Sequence, residues 1–160
     1  DIEMTINWGD GSGAESFTGT SYYEPSHTYS APGIYRVDFT FNDYSLINVF
    51  NAGTDLSDHC NVSAFHNASL FTKITEFDIE GTGLKIWSYS DGFAPTTKYL
   101  WFSDNYLSSA QMDKLLTYIN GLTFNAGSKE LHMWQITGAQ PTSVGLAAIN
   151  SLESKGWSIY

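Results

Sequence analysis

The stretch DLSDHCNVSAFH at 55–66 gathers Asp55, Asp58, His59, Cys60 and His66. These are the residue types of zinc sites and of thiol nucleophiles. A zinc site on His59, Cys60 and His66 would need two adjacent ligands, and no CxxC or HxxxH spacing supports it. A Cys60–His pair acting as a hydrolase has no recognisable third member and no oxyanion loop beside it. The sequence therefore predicts no catalytic residue and no enzyme. A second acid, Asp10, sits in the Gly9-Asp10-Gly11 turn directly after Trp8. Its carboxylate is suited to accept backbone N–H bonds that close the turn, with glycine supplying positive φ. The alternative is a calcium ligand shared with Asp1, Glu3 or Asp38. Calcium takes about six to eight oxygens, which no Asp-rich loop supplies here, so no cofactor or metal is expected.

Aromatic side chains offer a different chemistry, recognition by stacking. Trp87, Tyr89, Trp101, Tyr106 and Trp134 fall in or beside short apolar segments, and His132 joins them. If those segments are strands, Trp101 and His132 face away from their apolar neighbours. Rings presented in this way suit a sugar or protein partner; the alternative is packing between structural units or under a loop. Asn61-Val62-Ser63 and Asn67-Ala68-Ser69 are acceptor triplets that would place glycans on Asn61 and Asn67 in a secreted chain. Such triplets also arise by chance where serine is common.

The elements that must position these residues are legible in the hydrophobic pattern. Ile2, Met4, Ile6 and Trp8 alternate with polar residues, and Tyr35, Val37, Phe39 and Phe41 do so after Pro32-Gly33. Both read as strands with one buried face, making the first 42 residues β-structure. From about residue 46 a weak repeat follows, with VFNAGTDL, FDIEGTGL and LWFSDNYL starting at 49, 77 and 100, and LHMWQITG at 131 as a partial copy. Residues 108–121 predict a helix, with Ser108 as N-cap, Met112, Leu115, Leu116 and Ile119 on one face, and Gly121 as stop. Residues 141–156 predict a second, capped by Thr142 or Ser143, with Val144, Ala148, Ile149 and Leu152 inward and Gly156 at its C-terminus. The final WSIY reads as the last strand.

Composition excludes several classes. A net charge of −10 with Arg36 as the single arginine leaves nothing to neutralise phosphates, which argues against nucleic acid and against an anionic membrane surface. No run approaches the roughly 18 apolar residues of a membrane span, so direct membrane insertion is not expected. Cys60 is the only cysteine, so no internal disulfide forms. The chain opens without Met, inside an alternating pattern, and reads as a mature product or a piece of something larger.

INWGDGS with SHTYSAPGIYRV, through Trp8, Gly9, Asp10, Gly11, His27, Thr28, Tyr29, Gly33, Tyr35 and Val37, resembles the polycystic kidney disease (PKD) domain, an immunoglobulin-like sandwich of extracellular proteins. The resemblance covers residues 4–41, about half of such a domain, and implies a structural role for Trp8, Gly9, Asp10, Gly11, His27 and Tyr29. Residues 98–160 resemble irregular leucine-rich repeats of bacterial surface proteins and bacteriophage structural proteins, which implies recognition, adhesion or assembly without catalysis.

The expected fold is thus α+β, an N-terminal partial Ig-like or PKD-like β-unit (1–45) packed on a short leucine-rich-repeat-like β/α solenoid (46–160). The expected function is a non-catalytic extracellular recognition or adhesion module on a bacterial surface or virion, binding protein or glycan. The alternative is a structural subunit that self-associates through β-edges into a filament, fibre or capsid decoration.

Overall fold

The computed structural model describes residues 1–20, 23–52, 70–86 and 92–160. The chain divides into two compact units, residues 1–46 and 47–160.

In the first unit β1 (Ile2–Asn7) lies between β2 (Ala14–Gly19) and β3 (Asp38–Phe41), both antiparallel to it. The period-2 pattern does what it must: Met4 and Ile6 point to one face, followed there by Trp8. Phe17 and Phe41 flank Met4 from the two neighbouring strands and Phe39 stands opposite Ile6. Pairing with β3 starts only at Asp38, opposite Asn7. Residues 34–37 were expected to continue this strand, but β1 ends at Asn7 and leaves them no partner. Their backbone instead closes on the turn, where a Cβ at Gly9 would collide with the Arg36 carbonyl oxygen.

In the second unit five short strands, β4 (Val49–Asn51), β5 (Glu76–Asp78), β6 (Tyr99–Trp101), β7 (Lys129–His132) and β8 (Trp157–Ile159), form a parallel sheet in chain order. Phe50, Phe77, Leu100 and Leu131 stand in register on its buried face. The Phe50 and Phe77 rings lie 5.6 Å apart at 18°. Each fully buried side chain of this size contributes about 1.5–3 kcal/mol. Helix α1 (Ser109–Gly121) connects β6 to β7 and α2 (Ser143–Ser154) connects β7 to β8.

Both helices start as their sequences dictate. The Ser108 hydroxyl accepts from the Gln111 N–H, the Thr142 hydroxyl accepts from the Val144 N–H, and Met112, Leu115, Leu116 and Ile119 are buried. Asp113 on α1 supplies a second cap to α2, accepting the Thr142 N–H at 2.8 Å, the Gly145 N–H at 3.0 Å and the Thr142 hydroxyl. This explains a misplaced face: Val144 is exposed, while Gly145 is buried where a Cβ would strike the Asp113 carboxylate and the Pro141 ring.

Behind the strands lies a polar ladder that sequence pattern did not reveal. Thr82, Asn105 and Gln135 are fully buried. Asn105 donates to the carbonyls of Ile79, Phe102 and Ser103 and accepts from the Leu84 N–H and the Thr82 hydroxyl. Gln135 donates to the carbonyls of Phe102, Met133 and Trp134 and accepts from the Leu107 N–H.

The expected architecture, a partial Ig-like or PKD-like sandwich unit on a leucine-rich-repeat-like solenoid, is therefore not the one found. Among the described residues the first unit is a single three-stranded antiparallel sheet with no facing second sheet, and the second is an α/β layer of five parallel strands and two helices. The class is mixed. The physical reason lies in the connections: a helix follows β6 and β7, whereas the described parts of the earlier crossovers are turns and irregular chain.

Two outcomes follow. Asn105→Ala should lower the stability of the second unit by about 3 kcal/mol, because several buried backbone groups lose their partner at once; urea denaturation measures it. Gly145→Ala, which stabilises an ordinary helix interior by about 0.5–1 kcal/mol, should here destabilise and lower the melting temperature.

Candidate functional site

The corner of the first unit is built from the residues singled out in the sequence. Gly9 and Gly11 adopt φ of 78° and 85°. Between them the Asp10 carboxylate accepts the Ser12 hydroxyl at 2.6 Å and the Ser12 N–H at 3.0 Å, with its other oxygen 2.7 Å from His27 Nε2. His27 stacks on Trp8 at 4.9 Å and 10°, and the Tyr29 hydroxyl donates to the Trp8 carbonyl at 3.1 Å. The Ser12 hydrogen bonds, reinforced by His27, hold the Asp10 carboxyl well below the usual carboxylate range. One Asp10 oxygen is thus engaged within the turn and the other by His27, and Asp38, a suggested co-ligand for calcium, is paired with Arg36 Nε at 2.7 Å. Among the described residues no group of three or more His, Cys, Asp or Glu is placed to hold a metal ion.

The other grouping lies on the outward face of the parallel sheet. Alternation turns Phe77 and Ile79, Leu100 and Phe102, Leu131 and Met133 inward, so their neighbours face out. Strand pairing aligns Asp78 with Trp101 and Trp101 with His132. Hydrogen bonds beyond the strands carry the same register onward, from Gly81 N to Ser103 O and from Asp104 N to Trp134 O. Three columns result: Glu76, Asp78 and Glu80; Tyr99, Trp101 and Ser103; Glu130, His132 and Trp134. Trp101 and His132 stack at 4.3 Å with their planes 3° apart, and His132 meets Tyr160 at 4.8 Å. Trp134 is 56% exposed. Among the described residues the Trp101 Nε1 hydrogen has no acceptor, and His132 Nε2 lies 3.6 Å from Glu130 Oε2, beyond hydrogen-bond length.

Electrostatics single out Asp78 and Glu80. Burial raises the Asp78 carboxyl, against the opposing pull of the Glu80 N–H and Asn51 amide and the nearby His132. Burial also raises Glu80, helped by the charges of Asp78 and Asp104 and by a hydrogen bond with Asp104. Asp104 itself has φ of 56°, the single non-glycine residue in the left-handed region among the described residues. No lysine or arginine among the described residues pairs with these three carboxyls.

Of the binding residues read from the sequence, the fold brings Trp101, His132 and Trp134 together. Tyr106 belongs to the turn after β6, where Lys85 Nζ lies 5.9 Å from its ring centroid. Trp87, Tyr89, Asn61 and Asn67 lie outside the described residues, as do Asp55, Asp58, His59, Cys60 and His66. Glu76, Asp78, Glu80, Tyr99, Asp104 and Tyr160 were missed, although the alternation in EFDIE carried the signal for three of them. A cavity of about 310 Å³ beside α1 is lined by Asn120, Phe124, Lys129, Lys155 and Trp157, among others. Its ammonium groups serve the fold: Lys155 binds the Asn120 carbonyl at 2.7 Å and Lys129 the Gly127 carbonyl at 2.9 Å.

Asp10 and Glu80, shifted in opposite directions, predict opposite pH behaviour. Asp10 is lowered in the folded state, so its stabilisation is present above the ordinary carboxylate value of about 4 and is lost as pH falls below it. Denaturation followed at the Trp8 indole should show this loss, and Asp10→Asn should flatten it. Glu80 is raised, so its ionisation weakens the fold as pH climbs through its folded value. Glu80→Gln should therefore raise the melting temperature at pH 7, with the gain disappearing near pH 4. No protein-family model, curated protein or solved structure matches the chain.

Proposed function

We propose that the chain is a non-catalytic recognition or adhesion module working outside the cell, on a bacterial surface or a virion, and that it binds a protein or glycan through the outward face of its parallel sheet. The observation that supports this reading is the stack of Trp101 on His132, with Tyr160 tilted against His132 and Trp134 exposed on the same face. Large rings held in one orientation by neighbouring strands give up little conformational freedom on binding, and aromatic anchors supply most of the energy of many interfaces. The acidic balance and single arginine speak against nucleic acid as the partner.

A second reading, assembly through β-edges into a filament, fibre or capsid decoration, is favoured by β2. It pairs only with β1 among the described residues, leaving an outer edge.

Screening against glycans and cell-surface proteins should yield a ligand whose affinity falls by about tenfold or more in Trp101→Ala and in Trp134→Ala, with the circular dichroism spectrum unchanged. Binding that survives both substitutions would remove the sheet face from the mechanism. Light scattering over a wide concentration range should show a constant mass; growth with concentration would favour the assembly reading.

A further inference from the structure

The recognition face is asymmetric in a way that selects among partners. Its acidic column runs along β5 and its continuation at every second residue, Glu76, Asp78 and Glu80, and its aromatic column, Tyr99 and Trp101, runs alongside on β6. Alternate residues of a strand advance by about 6.6–6.8 Å and neighbouring strands lie about 4.8 Å apart. The acidic side chains are therefore spaced as alternate side chains of an extended peptide are spaced, with rings one strand away.

A neutral sugar laid on this face would bury the carboxylates further without neutralising them. A cation relieves both the burial and the mutual repulsion, and no lysine or arginine among the described residues provides it. The aliphatic stem of lysine or arginine packs on an aromatic ring while its head stays over the ring face or reaches a carboxylate beyond it. A chain carrying −10 also attracts basic partners at long range.

We propose that the outward face of the parallel sheet docks an extended segment of a partner protein carrying lysine or arginine at alternate positions, its basic side chains crossing Tyr99 and Trp101 to reach Glu76, Asp78 and Glu80. This rests on the recognition reading above and narrows it to one occupant. The peptide lies on the face, so its specificity comes from side-chain spacing and not from strand addition at an edge.

The test uses the whole chain and three probes: an acetylated peptide alternating threonine with three lysines, a peptide of the same composition with the lysines adjacent, and a neutral β-linked glucose hexasaccharide. Calorimetry reads affinity, and NMR reads the Trp101 and Trp134 indole signals. The alternating peptide should bind at least about tenfold more tightly than the block peptide and shift Trp101. It should weaken at least about tenfold in the combined variant Glu76→Gln, Asp78→Asn, Glu80→Gln, and be unaffected by Glu153→Gln. In the unmodified protein affinity should also fall as pH drops into the carboxylate range, a readout that does not depend on the variant folding.

Equal binding of the two peptides, or binding unchanged in the amide variant, overturns the inference. Movement of Trp101 and Trp134 by the hexasaccharide alone overturns it too, while leaving the recognition face standing. Silence from all three probes also overturns it, and the recognition reading is then decided separately by the Trp101→Ala and Trp134→Ala screen.

Discussion

The second unit depends on three buried polar side chains. Strands of three or four residues make few ladder hydrogen bonds, and the turns that follow them carry backbone groups into the core, where an unpaired group is expensive. Thr82, Asn105 and Gln135 resolve this. Asn105 takes carbonyls from its own turn and from Ile79 on the preceding pass of the chain; Gln135 does the same with Phe102. Each amide therefore fastens one turn to the one before it. A leucine in either place would fill the volume and leave the carbonyls stranded.

The outward face inherits its order from this inner fastening. Because the turns after β5, β6 and β7 are tied in series, the register set at Phe77, Leu100 and Leu131 persists past the strands. That persistence brings Glu80, Ser103 and Trp134 into line, extending a narrow sheet into a broader surface. The left-handed Asp104 belongs to the same arrangement, lying between Ser103 and Asn105, both buried. Burial raises the Asp78 and Glu80 carboxyls on this surface, so their ionisation opposes stability.

Much of the scaffold could be read directly. The helix at 108–121 shows its cap, its apolar spacing and its stop, and β1 shows a clean alternation. Local signals carried those elements because local physics decides them. What escaped was decided by distant residues. Asn105 and Gln135 look like turn residues in SDNYL and WQITG, since nothing nearby shows that their amides are enclosed. Val144 looks like a core residue until Asp113, on another helix, claims the neighbouring position at Gly145. Residues 34–37 look like strand until β1 stops short of them. The fold class was misjudged for the same reason: a repeating strand-and-leucine pattern does not say whether each crossover carries a helix. At the site, Trp101 and His132 could be oriented by alternation, whereas the acidic column beside them emerges only when β5 is set against β6.

The Asp113 carboxylate has a consequence for how the second unit comes apart. A cap normally belongs to its own helix, so helices fray independently from their ends. Here the first turn of α2 is completed by a side chain whose position exists only once α1 is wound. Winding of α1 therefore reinforces the start of α2, which Thr142 also caps from within, so the two crossovers on either side of β7 are coupled in their opening.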